Sequence, residues 1–225
     1  RPTILSSSIA IRRRGRWPGS TIMISSPSSQ APSWTGRSSE KRRMRARLAD
    51  DGCFNILFVG RVVPNKRHDR LLQVFHHFQH NVEPRSRLVI AGSSSGQEAY
   101  KSLLLGSVHT LELKRVLMTE FISAAELNAC YATASAFVCM SEHEGFCAPL
   151  LEAMAWDVPV FADAQAAIPE TLAGAGVLFH GADSATIAET ISKVARDPAL
   201  RAAVLARQRQ RLDAYERLMR LDKPI

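Results

Sequence analysis

Short apolar runs and amphipathic stretches alternate along most of the chain. Ile56, Leu57, Phe58 and Val59 form a continuous apolar run closed by Gly60. Such a run predicts a strand buried on both faces, as in a parallel sheet. His68 to His80 places Leu71, Leu72, Val74, Phe75 and Phe78 at helical spacing, which suits a helix packed on a sheet. Leu88 to Ala91 before Gly92 predicts a second strand, Gln97 to Leu105 a second helix, and Val116 to Met118 a third, weaker strand. Ser123-x-x-Glu126 is a capping box opening a helix through Ala134. Phe137 to Met140, Val158 to Ala162 and Gly176 to Phe179 complete the predicted strands. Asp183 is a candidate cap for a helix to Arg196. Asp197-Pro198 opens the last helix, with Leu200, Val204, Leu205, Leu212, Tyr215 and Leu218 as its expected apolar face. This alternation predicts an α/β fold: a Rossmann-like parallel sheet with helices on both faces. Ligands of such sheets bind at the carboxyl ends of the strands.

Residues 1–50 break the pattern. Ser, Arg, Pro and Gly dominate, and neither periodicity holds for long. A short strand over Thr21 to Ser25 and a short helix over Arg42 to Asp50 are the elements this stretch could form. Charge divides at the same place. Residues 1–50 carry eleven Lys/Arg against two acids, which leaves 18 against 19 from the totals of 29 and 21, a net of −1 for residues 51–225. The expected organisation is a basic, disordered leader over 1–50 and one domain over 51–225. A near-neutral body argues against a nucleic-acid-binding fold. The four cysteines form no C-x-x-C pair and sit in apolar surroundings, so buried free thiols in a reducing cytoplasm are expected. No apolar run reaches membrane-spanning length.

The densest chemistry lies in Ser141 to Glu152, which reads Ser-Glu-His-Glu-Gly-Phe-Cys-Ala-Pro-Leu-Leu-Glu. Pro149 suits a first helical turn. Glu144 is therefore expected on a loop after a strand, and Glu152 in the opening turn of a helix. The N–H groups of that turn near Leu150 and Leu151 form a candidate phosphate site. Upstream, Arg61 and Lys66 follow the first strand and could neutralise a departing diphosphate. Taken alone, Arg61 and Lys66 also read as a solvated basic loop, and the glutamates as acids stabilised near a helix N-terminus.

Glu144-x7-Glu152 within Ser-Glu-x-Glu-Gly-Phe-x-x-Pro-Leu-Leu-Glu-Ala-Met-Ala resembles the donor-site motif of the retaining glycosyltransferases of family 4. Phe58 to Arg61 followed by Asn65-Lys66-Arg67 is similar to that family's phosphate-contact segment, and the resemblance runs from Phe54 to Tyr215. It implies the C-terminal, donor-binding half of a GT-B enzyme that transfers a hexose from a nucleotide sugar with retention. Arg61, Lys66 and Glu144 would be the catalytic groups: the two cations on the diphosphate, Glu144 on the sugar. Gly60, Gly92, Phe121, Ile122, Gly145, Phe146, Leu150 and Glu152 would complete the donor site, with Glu152 on the ribose and Phe121-Ile122 at the base. Phe121 and Ile122 read equally well as core residues ahead of a helix; Glu170 after Pro169 resembles the family's Pro-Glu after the fifth strand, with a helix-start acid as the competing reading. Glu120 departs from the family pattern, which has Gly there.

No metal and no cofactor are expected. The chain has no Asp-x-Asp, and His68, His76, His77 and His80 lack an acidic or cysteine partner in the sequence. The partners implied are a nucleotide-diphosphate sugar, an unspecified glycan or lipid-linked acceptor, and an N-terminal acceptor domain absent from this chain. The isolated chain is accordingly expected to bind donor and transfer sugar poorly. The expected setting is cytoplasmic, with peripheral contact at an inner membrane and a role in polysaccharide biosynthesis. The competing readings are a non-catalytic sugar-nucleotide binding module and a basic-arm protein tethered to polyanions.

Overall fold

A computed structural model describes Met44, Leu48 and residues 51–221. Six strands form one parallel sheet: β1 (Phe54–Val59), β2 (Ser86–Ala91), β3 (Val116–Thr119), β4 (Ala136–Cys139), β5 (Val160–Asp163) and β6 (Val177–Phe179). The helices are α1 (His68–His77), α2 (Glu98–Thr110), α3 (Ala124–Thr133), α4 (Ala148–Ala155), α5 (Ile168–Leu172), α6 (Ser184–Arg196) and α7 (Pro198–Leu221). A single turn of 3-10 helix, Pro64–Lys66, precedes α1, and a π turn, Phe78–Val82, follows it.

The sheet order is β3-β2-β1-β4-β5-β6. Connections run outward from β1 to β3 in one direction and from β4 to β6 in the other. Right-handed crossovers then place α1 and α2 on one face and α4 and α5 on the opposite one. α1 packs against α2 and α6, and α4 against α5 and α7. Every residue of β2, β4 and β5 is buried, which is why their sequences are runs rather than alternations.

The reversal of strand order between β1 and β4 leaves a crevice at the carboxyl ends of these two strands. Ile56 pairs with Ala136 and Leu57 with Phe137, so the loops that follow β1 and β4 leave the sheet side by side. Gly92 keeps that rim tight on the other side of β1. A Cβ there would lie 1.9 Å from the carbonyl oxygen of Gly60. The ladder continues past the strand ends through Gly60 N–H to Ala91 O, 3.0 Å, and Val62 N–H to Ser93 O, 2.9 Å.

Several expectations shift in detail. α2 runs to Thr110 rather than Leu105, because Gly106 is accommodated within the helix instead of ending it. α1 stops at His77, and the next five residues widen into the π turn. On α7, Leu212 is buried, but Leu200 and Leu218 are exposed. A polar residue seats this helix instead: buried Gln208 accepts from Val160 N–H and donates to Val158 O, both at 2.9 Å. Met44 and Leu48 are helical and buried in the core, within the candidate short helix over Arg42 to Asp50. The candidate strand over Thr21 to Ser25, and the rest of residues 1–50, lie outside the described residues. Among the described residues no helix is long and apolar enough to cross a membrane.

Candidate functional site

The β1–α1 loop and the β4–α4 loop face each other across the crevice. Both end on a non-glycine residue in the left-handed region: Arg67 (φ 49°) before α1 and Cys147 (φ 56°) before α4. Each such residue costs about 1–2 kcal/mol, and this kind of strain collects at functional sites. Neither helix is capped by a side chain, whereas Ser123 caps α3 and Asp183 caps α6. Two uncapped N-termini at one crevice favour an anionic ligand.

The loops are stitched together. Glu142 N–H donates to Asn65 O at 2.9 Å, and the Arg67 guanidinium pairs with both Glu142 and Asp69. Asp69 and Glu142 hold the Arg67 guanidinium above its ordinary range by hydrogen bonding to it. Lys66 Nζ lies 2.6 Å from Glu144 Oε1, with the two side chains 18% and 10% exposed. Gly60, Arg61, Val63, Asn65, Lys66, Glu144 and Pro149 are among the residues lining a cleft of about 470 Å³. Arg61 is exposed and makes no ion pair with a described residue.

The structure thus gathers Gly60, Arg61, Lys66 and Glu144 into one cavity. Glu152 lies outside that lining. Its half-buried carboxylate accepts from Tyr131 Oη at 2.7 Å. Burial raises its pKa, and the Tyr131 hydrogen bond offsets part of that rise. The same burial drives the Tyr131 phenol well up. Leu150 is buried, and its N–H is already bonded to Cys147 O at 3.0 Å, so it is not a spare donor as its place in the first turn suggests. A Cβ at Gly145 would meet nothing within 4 Å. Phe146 packs on Tyr215, ring centroids 5.4 Å apart, and its carbonyl accepts from Thr171 Oγ1 at 2.7 Å.

On the β3 side Phe121 is 88% exposed and Ile122 half-buried. Glu120 points its carboxylate back to the β2–α2 loop. It accepts from Ser94 N–H at 3.0 Å and Ser94 Oγ at 2.7 Å, and pairs with Lys101. Lys101 and Ser94 together lower its pKa to about 2. The departure at position 120 therefore ties two rim loops together. Glu170 is exposed in the first turn of α5, and its carbonyl accepts from Arg211 at 3.0 Å.

Two features were not visible in the sequence. His68 is fully buried beneath the β1–α1 loop, with Phe58 and Tyr100 around its ring. Burial lowers its pKa to about 4, and neither ring nitrogen has a hydrogen-bond partner. The other is the cross-loop Lys66–Glu144 pair itself, between residues 78 apart in sequence. Among the described residues no histidine joins a group of three metal-ligating side chains.

The family model for "Glycosyl transferases group 1" matches residues 40–212. The "GDP-mannose-dependent alpha-mannosyltransferase" of Mycolicibacterium smegmatis is 33% identical over 125 residues, 56% of this chain and 29% of that protein. The "D-inositol 3-phosphate glycosyltransferase" of Frankia alni is 32% identical over 180 residues, 76% of this chain and 44% of that protein. The chain spans less than half the length of the curated relatives it matches. Among solved structures, the C-terminal domain of a group 1 glycosyl transferase (LpcC) from Francisella tularensis superposes with a TM-score of 0.65 at 23% identity, covering 76% of this chain and 91% of that one. Anabaena HepE in complex with UDP-glucose gives a TM-score of 0.65 at 21% identity, covering 76% of this chain and 46% of that one. The crevice between β1 and β4 is thus carried on the fold of a GT-B C-terminal domain, and the chain belongs to the group 1 glycosyl transferases, family 4.

Proposed function

We propose that this domain holds the nucleotide-sugar donor for retaining hexosyl transfer, with the diphosphate in the cleft between the β1–α1 and β4–α4 loops. The observation that carries this reading is the Lys66–Glu144 pair beside Arg61 in that cleft. Without donor, cation and carboxylate neutralise each other. A diphosphate draws Lys66 toward itself, and Arg61 adds the second cation. Glu144 is then released to accept from a sugar hydroxyl. As the bond from the anomeric carbon to the diphosphate breaks, negative charge grows on the phosphate oxygens. Two cations fixed beside it lower that barrier. The acceptor hydroxyl forms the new bond on the face the diphosphate leaves, and its proton departs with the diphosphate.

Glu152 takes the ribose hydroxyls in this scheme, its carboxylate oriented by Tyr131. Exposed Phe121 offers an aromatic face to the base. Position 170 supplies a further helix-start carboxylate on the same rim. No metal is invoked, because the cations needed for the diphosphate are side chains. The free thiols of Cys53, Cys130, Cys139 and Cys147 suit a cytoplasmic setting, where a nucleotide-sugar donor is at hand.

Four relatives bear the name of mannosyltransferases, one of them GDP-mannose-dependent, and the HepE complex holds UDP-glucose. Calorimetry with GDP-mannose, UDP-glucose, GDP and UDP tests the reading without needing an acceptor. One nucleotide sugar binds, and Arg61→Ala and Lys66→Ala each weaken it at least tenfold. Binding that ignores both substitutions removes the diphosphate from this cleft. Loss of all binding at moderate salt favours the polyanion reading instead.

A further inference from the structure

Behind the Lys66–Glu144 pair lie two thiols that the transfer scheme does not use. Cys139 is the last residue of β4, and Cys147 is the left-handed residue before α4. Both are buried, Glu144 is half-buried, and the two sulfurs and a Glu144 carboxylate oxygen all lie within 4.8 Å of one another. The Cys139 sulfur also lies 3.3 Å from Ser141 Oγ.

We propose that Cys139, Cys147 and Glu144 form a binding site for a thiophilic divalent cation of the zinc class. Occupancy of that site ties up the carboxylate that the donor sugar uses. The binding stands on geometry alone; the effect on donor rests on the role proposed above for Glu144. Zinc takes sulfur at about 2.3 Å and carboxylate oxygen at about 2.0–2.2 Å in a tetrahedron, so the ligand atoms need to close by about 1 Å. Two thiolates neutralise the dication, and Lys66 balances Glu144, so the buried cluster carries no net charge. Water from the cleft supplies the fourth ligand, because Glu144 lines the cleft and opens the way in. Each bound ion releases the thiol protons, so affinity rises with pH.

The test uses the full chain with one equivalent of metal. Zinc K-edge absorption on the unmodified protein is expected to show two sulfur ligands with the remainder oxygen. Cadmium is expected to give a thiolate charge-transfer band that zinc displaces. Cys139→Ser and Cys147→Ser each weaken zinc at least as much as the roughly 10–100-fold an outer-shell partner is worth, while Cys53→Ser leaves it unchanged. A metal shell without sulfur, or no tight site at all, overturns the proposal. With the site filled and no free metal, affinity for the nucleotide sugar falls at least tenfold. If zinc binds through both sulfurs and donor affinity does not move, the metal site stands and the sugar role of Glu144 falls.

Discussion

Glu144→Gln is the perturbation on which the reasoning is most exposed. The substitution keeps shape and hydrogen bonding and removes one charge. In the protein without donor, Lys66 Nζ sits 2.6 Å from Glu144 Oε1, and the two side chains are 18% and 10% exposed. A pair in water is worth about 0–1 kcal/mol, and breaking a fully buried one costs about 3–5 kcal/mol. This pair lies between those limits, at about 1–2 kcal/mol, which any diphosphate must offset to recruit Lys66. Removing the carboxylate charge removes that competition. Affinity for bare GDP or UDP should therefore rise about 5–30-fold, at 1.4 kcal/mol for each factor of ten. The extra affinity conferred by the sugar should fall in the same variant. Calorimetry at fixed ionic strength with the nucleotide and its sugar measures both. If Glu144→Gln weakens nucleotide and nucleotide sugar equally, Glu144 neither competes for Lys66 nor meets the sugar, and the scheme fails.

Three further outcomes follow from the structure. Gly92→Ala places a Cβ 1.9 Å from a backbone oxygen, so urea unfolding should show a loss of about 3 kcal/mol, and a loss below 1 kcal/mol contradicts the close approach of β1 and β2. His68 stays neutral when folded and has a pKa lowered to about 4, so the stability this supplies is complete above 6.5 and lost as pH falls toward 4; a ring titrating near 6.5 in NMR spectra refutes its burial. Glu152 has its pKa raised by burial, so its contribution is complete below 4.5 and lost as pH rises through the raised folded value. Glu152→Gln should flatten that slope in denaturation curves, and an unchanged slope shows the carboxylate to be solvated.

Much of this architecture is local in origin and could be read from residue order alone. The apolar run Ile56 to Val59 became β1, and Ser123-x-x-Glu126 formed the reciprocal cap of α3. Asp183 accepts from Thr186 N–H at 2.7 Å, as its place before an amphipathic stretch implies. Such features depend on neighbours within one helical turn or one strand, so periodicity and capping chemistry encode them. The motif around Glu144 and Glu152 likewise carried the family resemblance, which the family match over residues 40–212 bears out.

Which side chains meet was decided only by folding. The strand order sets β4 beside β1, and that alone brings Glu144 to Lys66 across 78 residues and presses the loop of Glu142 onto Asn65. The bend before α4 turns Cys147 onto Cys139, two thiols whose spacing of eight signalled nothing. Glu152 accepts from Tyr131, a partner 21 residues upstream on a different helix. These are contacts between elements, fixed by which surfaces the core brings together, and no period along the chain carries that information.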